Sequence, residues 1–300
     1  MAPKFKIALI QLFVTASKEA NIASACQKVL EASRNGAKVV VLPGRSRLIE
    51  VWNSPYGTKY FAEYAEKVPG GPSTLALSSM AKDSNCWLIG GSIPESSQTE
   101  KGKYYNTCTV YSPKGELAAI HRKVHLFDID VPGKIKFTES DVLSGGNSLT
   151  HFTTEYGKIG VGICYDIRFP ELAMIAARKG CVGMVYPGAF NTTTGPLHWE
   201  LLARARAIDN QFFVACCSPA RDPDFSYQAW GHSLVVGPMG DVKISADEKE
   251  TIIYQDIDLS EMEEARSAIP VTVQRRFDLY NDVSATMSEA KDGRVLKNNL

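Results

Sequence analysis

Two residues of this 300-residue chain, Cys164 and Lys123, carry the side chains best placed by sequence to do covalent chemistry. Lys158 to Ile163 reads as a buried strand, and Pro170 opens a helix. The thiol of Cys164 therefore falls at a strand-to-turn corner, beside backbone N–H groups able to face an oxyanion. That placement suits a nucleophile. The other reading, an inert buried cysteine, is the common fate of a free thiol. A thiol attacks as thiolate and needs a cation or a base close by. Lys123, at the end of an apolar strand in I-H-R-K-V-H-L-F-D-I-D, offers the cation, although read alone it is also an ordinary surface charge. Handing a proton to a leaving amine needs a third group, and periodicity does not say which carboxylate supplies it.

Other chemistries lack their signatures. His121 and His125 are four apart, but on a strand running into a loop that spacing gives no common face, and no H-E-x-x-H pattern surrounds them, so no metal site is expected. The chain has no G-x-G-x-x-G after a strand, no Walker A loop and no G-x-S-x-G elbow. Its seven cysteines are odd in number and form no C-x-x-C pair, which fits a reducing, cytoplasmic setting and not a disulfide framework or zinc ribbon.

The elements that must position Cys164 and Lys123 alternate along the chain. Strands are expected at Lys6–Val14, Lys38–Leu42, Cys86–Gly91, Tyr104–Tyr111, Glu116–Arg122, Lys158–Ile163, Val182–Tyr186, Phe212–Cys217 and Ile252–Ile257. Helices are expected at Lys18–Ser33, Ser73–Asp83, Pro170–Lys179, His198–Asn210 and Ser260–Ala268. The apolar run after Lys4 and Lys6 superficially resembles a signal peptide, but Gln11 interrupts it and no small-x-small cleavage site follows, so a buried first strand is the expectation. Alternation of this kind argues for an α/β fold, and hairpins at Ser112–Gly115 and Pro238–Asp241 make the sheets mixed. Residues 1–282 are expected to form one domain and the polar stretch 283–300 a mobile tail. Hydrophobic residues make up 44% and charged residues 22%, with 33 basic against 33 acidic, so neither a nucleic-acid-binding surface nor a membrane span is expected.

Long segments of the chain resemble the carbon–nitrogen hydrolase (nitrilase) superfamily. They are H-R-K-V-H-L-F-D-I-D-V-P-G, F-T-E-S, G-I-C-Y-D-I-R-F-P-E-L and Y-P-G-A-F-N-T-T-T-G-P-L-H-W-E-L-L-A-R-A-R-A-I-D-N-Q. The likeness runs from about Phe5 to Tyr280. Within the superfamily, I-A-L-I-Q-L, N-S-P-Y-G-T-K-Y-F-A-E-Y-A-E-K and F-D-I-D-V-P-G-K-I are most similar to the omega-amidase branch. The resemblance implies a four-layer α-β-β-α sandwich with mixed sheets, and a homodimer formed through the helices Pro170–Lys179 and His198–Asn210. It implies Cys164 as nucleophile, Lys123 as oxyanion stabiliser, Glu139 as the carboxylate orienting Lys123, and the N–H of Tyr165 in the oxyanion hole. It implies hydrolysis of the terminal amide of short dicarboxylic monoamides such as 2-oxoglutaramate and succinamate, through a thioester, with water and without metal or organic cofactor. Arg168 is a candidate for the substrate carboxylate or, equally, a helix-entry ion pair. Tyr56, Phe190 and Thr194 either line the pocket or pack the loops.

One segment departs from the family. Its general-base glutamate follows the strand in a pattern like L-P-E-x-x-N-S-P-Y, whereas this chain has Leu42-Pro43-Gly44 and then Arg45 to Ile49 before Glu50. Counted back from Asn53, Glu50 has the expected spacing; counted forward from Pro43, Gly44 occupies the place. The base is Glu50, looped in past a bulge that Gly44 permits, or it is missing. The alternatives to an omega-amidase are thus an amidase for deaminated glutathione or a carbamoyl amide, and a catalytically impaired member acting by binding.

Overall fold

The computed structural model describes residues 2–44, 52–53, 61–131, 135–224 and 228–280. In chain order the first part runs β1 (Lys4–Gln11), α1 (Lys18–Arg34), β2 (Val39–Val41), α2 (Phe61–Tyr64), α3 (Pro72–Ser84), β3 (Trp87–Ser96), β4 (Tyr104–Tyr111), β5 (Leu117–Arg122), and the hairpin β6 (Asp128–Val131) and β7 (Ile135–Thr138). The second runs β8 (Thr150–Thr154), β9 (Gly157–Val161), α4 (Pro170–Arg178), β10 (Cys181–Pro187), α5 (Gly195–Asn210), β11 (Phe213–Cys217), β12 (Leu234–Val236), β13 (Val242–Ser245), β14 (Thr251–Asp258), α6 (Ser260–Ala268) and α7 (Val271–Gln274).

Two six-stranded sheets result, in the orders β14-β1-β2-β3-β4-β5 and β13-β12-β11-β10-β9-β8. Both are mixed: β1, β2 and β3 are parallel in one, β9, β10 and β11 in the other, and antiparallel strands flank each trio. Strand β1 shows how the layers form. Its side chains alternate faces. Phe5, Ile7 and Leu9 enter a core shared with Ile159, Val161 and Val185 of the second sheet. Ala8, Ile10 and Leu12 enter a separate core with Val29 of α1 and Leu77 and Met80 of α3. The sheets therefore pack face to face, α1 and α3 cover one outer face, and Leu172, Ala173 and Ala203 of α4 and α5 belong to the core on the other side. This is the α-β-β-α sandwich, and each fully buried Leu or Ile stabilises it by about 1.5–3 kcal/mol.

Local signals set most boundaries. Ser17 caps α1, its side chain accepting the Ala20 N–H at 3.1 Å, and Asn35-Gly36 end the helix. Strand β3 runs on to Ser96, past Gly91, where the sequence reading ends it. Gly91 has φ +65° and the register with β4 shifts between Ile89 and Ser92, so the glycine makes a bulge and not a stop. Helix α5 starts at Gly195, ahead of the expected His198, because Asn191 Oδ1 accepts the N–H groups of Thr193 and Thr194 and turns the chain early. The hairpin β6–β7 and strand β8 are absent from the sequence reading: β6 and β7 alternate polar and apolar residues but are only four residues each, and β8 is mostly polar. The tail expected at 283–300 lies outside the described residues. Among the described residues no helix is long and apolar enough to cross a membrane.

Candidate active site

Four strand ends supply the site, three of them (β2, β9 and β10) carboxyl ends of parallel strands, where ligands commonly bind. Lys123 follows β5, Cys164 follows β9, Gly188 follows β10 and Gly44 follows β2. Cys164 opens a 3₁₀ turn, Cys164–Arg168, that leads into α4. Its φ of +42° is one a side-chain-bearing residue seldom adopts, and such backbone strain concentrates at functional corners. The thiol is 5% exposed, with Sγ 3.6 Å from the Ala189 carbonyl. A Cβ built on Gly188 would lie 2.5 Å from Cys164 Cα, so only glycine lets β10 approach the thiol-bearing corner this closely.

Lys123 is 1% exposed, and its Nζ donates to both oxygens of Glu139, at 2.8 and 3.2 Å. Glu139 is also fully buried and accepts the Phe127 N–H at 2.7 Å. A dry ion pair of this kind holds both charges only because every partner is in place. Lys123 is fixed through its backbone as well: its N–H donates to Asn106 O and its carbonyl accepts from Gly146 N–H, each at 2.8 Å.

Asp166, two residues after the thiol, joins the two halves. One carboxylate oxygen accepts from His125 Nδ1 at 2.7 Å and from the His125 N–H at 2.9 Å. The other accepts from His121 Nε2 at 3.1 Å and from the Ile163 N–H at 2.9 Å. His121 and His125 flank Lys123, and Ile163 precedes Cys164, so this one carboxylate ties the lysine segment to the nucleophile corner. Burial pushes the Asp166 carboxyl up, but the hydrogen bonds from His121 and His125 outweigh it and hold the group well below the usual carboxylate range. The sequence reading weighed the two histidines only as metal ligands and passed over Asp166. The H-x-K-x-H spacing, with an aspartate two past the cysteine, was the signal available. Asn106 is a second residue it missed. It follows Lys123 in the β4–β5 register, is 1% exposed, and neither its Oδ1 nor its Nδ2 has a hydrogen-bond partner among the described residues.

Arg168 lies over the Phe190 ring at 4.6 Å and the Tyr165 ring at 5.7 Å, with Nη1 3.3 Å from His198 Nδ1. Burial lowers its pKa, while Cys164 and Tyr165 act to raise it. It pairs with no carboxylate among the described residues, so the helix-entry ion pair does not form there, and a half-buried cation faces the thiol's surroundings. Phe190 is buried against Trp199, ring centroids 5.0 Å apart. Tyr165 packs edge-on against Phe127 and Phe169. Thr194 spends its hydroxyl on Asn191 Oδ1 at 3.0 Å, a turn-packing role. Glu50 and Tyr56 lie outside the described residues.

Gly44 is described, and its position is informative. A Cβ there would lie 3.1 Å from Gly188 N and 2.9 Å from Ser92 Oγ, so the residue after Pro43 abuts the strand end that touches Cys164. Counted forward from Pro43, the position beside the thiol corner is thus a glycine. The chain is again anchored at Trp52, whose N–H donates to Ser92 O at 3.0 Å and whose Nε1 donates to Gly90 O at 2.6 Å. Ser92 thus marks both the departure of this segment and its return.

The carbon-nitrogen hydrolase family model matches residues 6–267. The chain is 58% identical over 276 residues to the omega-amidase NIT2 of Mus musculus, covering 92% of this chain and 96% of that one. It is 59% identical over 280 residues to a hydrolase of Schizosaccharomyces pombe, covering 93% and 84%. Among solved structures, Saccharomyces cerevisiae Nit3, a member of branch 10 of the nitrilase superfamily, superposes with a TM-score of 0.83 at 45% identity, covering 92% of this chain and all of that one. The chain belongs to the carbon-nitrogen hydrolase family, whose members are hydrolases of carbon–nitrogen bonds other than peptide bonds.

Proposed function

We propose that this chain is an omega-amidase, releasing ammonia from the terminal amide of a short dicarboxylic monoamide such as 2-oxoglutaramate or succinamate. The observation that carries the reading is the Asp166 tie, which brings a buried Lys123–Glu139 pair to a strained thiol corner in a chain 58% identical to the mouse omega-amidase.

The Cys164 thiolate attacks the amide carbonyl carbon, forming the C–S bond and an oxyanion. Lys123 and the Tyr165 N–H stabilise that oxyanion, and Glu139 orients the ammonium of Lys123. As the tetrahedral intermediate collapses, the C–N bond breaks and Glu50 gives the nitrogen the proton it needs to leave as ammonia. Glu50 then takes a proton from water, which attacks the thioester, and the C–S bond breaks to return the thiol and release the dicarboxylate. A preorganised cation at the oxyanion contributes most in a dry site such as this one. Arg168 neutralises the substrate's distal carboxylate, with Phe190 and Tyr56 around it. Support for Glu50 comes from Trp52, two residues on, which is pinned to the Ser92 carbonyl beside Gly44. Residues 1–282 form the catalytic unit, the enzyme works in the cytoplasm, and two copies dimerise through α4 and α5.

Gly44 supports a second reading, a chain that folds as the family does but lacks a working base. Ammonia release from succinamate separates the two, measured on the full chain, a variant lacking residues 44–49, and Glu50→Gln. Turnover by the full chain that Glu50→Gln reduces at least 100-fold supports the first. Turnover by the deletion variant alone supports the second. Turnover of a carbamoyl amide or a glutathione-derived amide, with none of succinamate, would move the substrate to another amidase class.

A further inference from the structure

A charged cavity lies away from the thiol, at the far end of α4. It encloses about 310 Å³ and is lined by Arg178, Arg266, Arg275, Asn210, Thr272 and Phe277, among others. Three guanidiniums thus face one space. Among the described residues none of them pairs with a carboxylate: Arg275 donates to the Asp209 carbonyl, while the Asp209 carboxylate pairs with Arg206. Arg178 lies over the Phe277 ring at 3.6 Å, which leaves its N–H edge for another partner. Arg266 Nε is buried with no hydrogen-bond partner among the described residues, and burial alone draws this guanidinium below its ordinary pKa.

The charge does not balance within the described residues. Helices α4, α5 and α6 all end here, and their C-terminal dipoles supply roughly −0.5 each. Three full positive charges against that leave a surplus of about +1.5. Like charges in a half-buried space repel, and a guanidinium donor without an acceptor carries a desolvation cost. An anion of charge about −2 removes both penalties. Guanidinium forks match the paired oxygens of carboxylates and phosphates, and the space suits a small molecule.

We propose that this cavity binds a small multivalent oxyanion, a phosphate or a short dicarboxylate, through Arg178, Arg266 and Arg275. The site shares no residue with those assigned to the reaction, so it stands or falls independently of that reaction.

The test is calorimetry and thermal melting of the full-length chain with inorganic phosphate and, separately, succinate, against potassium chloride at equal ionic strength. The Cys164→Ala form is used, so that turnover plays no part. The expected result is saturable heat and a rising Tm with one or both anions, with Kd weakened at least tenfold in Arg266→Met. Arg178→Gln, at a residue held mainly by ring contact, is the second variant should Arg266→Met fail to fold, and it too should weaken binding at least tenfold. Phosphate alone binding would make the ligand a phosphate; succinate alone would make it a dicarboxylate. The proposal is overturned if neither anion acts beyond chloride, if both folded variants bind as wild type does, or if no anion binds while the variants change the mass by light scattering. That last result would mean a protein carboxylate neutralises the arginines.

Discussion

Of the six cysteines other than Cys164, five are buried and only Cys26 is half-exposed. Burial pushes the thiols of Cys86 and Cys181 up to about 11, and those of Cys108, Cys216 and Cys217 higher still. Those five hold their protons at neutral pH. Iodoacetamide at pH 7, read by peptide mass spectrometry, is therefore expected to modify Cys164 well ahead of them. Cys164→Ala should lose that adduct and all turnover while keeping its circular dichroism; turnover in that variant ends the nucleophile assignment. Glu139→Gln tests the partner residue. It leaves a buried ammonium without its counter-charge, a loss on the order of 3–5 kcal/mol in denaturant unfolding. It should also slow turnover at least 100-fold, because Lys123 is no longer aimed. A variant as stable and as fast as the parent would show that the pair is dispensable.

At the scale of elements, the site depends on one carboxylate holding two segments that are about 40 residues apart in sequence. The Asp166 pKa is depressed in the folded chain, so its stabilisation is present above the unfolded carboxylate value near 4 and is lost as pH falls through the folded value. Asp166→Asn should therefore be markedly less stable than wild type at pH 7, with the gap narrowing below about pH 4. Urea midpoints at pH 7 and pH 3 measure this, and a pH-independent gap would count against the role. Labelling of Cys164 should slow in the same variant, since the lysine segment is no longer tied to the thiol corner. Other elements behave as their local sequence predicts. Tyr104–Tyr111 matches its expected bounds because it pairs antiparallel with β3 and β5 and chain reversals fix both ends. Strand β3 outruns its expected end because a glycine in a bulge looks, in sequence, like a glycine in a turn.

At the scale of the molecule, α5 presents a stripe that the fold leaves uncovered. Leu197 and Leu201 are each 62% exposed, Ile208 is 51% exposed, and Met239 beside it is 47% exposed. The spacing of the helix residues sets them on one side of α5. A clustered apolar patch of this kind favours association. If the proposed dimer forms through α5, Leu201→Glu is expected to lower the mass by light scattering at micromolar concentration to that of a monomer; equal masses for parent and variant would remove α5 from the interface.

The sequence by itself determined the α/β class, most elements and the family, and it singled out Cys164, Lys123 and, through the family resemblance, Glu139 as candidates. Those follow from strand and helix periodicity, which is local, and from long motifs whose residue types and spacing survive on one line of text. Only the tertiary structure decided that Asp166 spans His121, His125 and Ile163, that Gly44 and Gly188 stack against the nucleophile corner, and that three arginines from separate segments share one cavity. Contacts of that kind join residues far apart in the chain. No local period encodes them, because which side chains meet is set by how the two sheets and their helices pack.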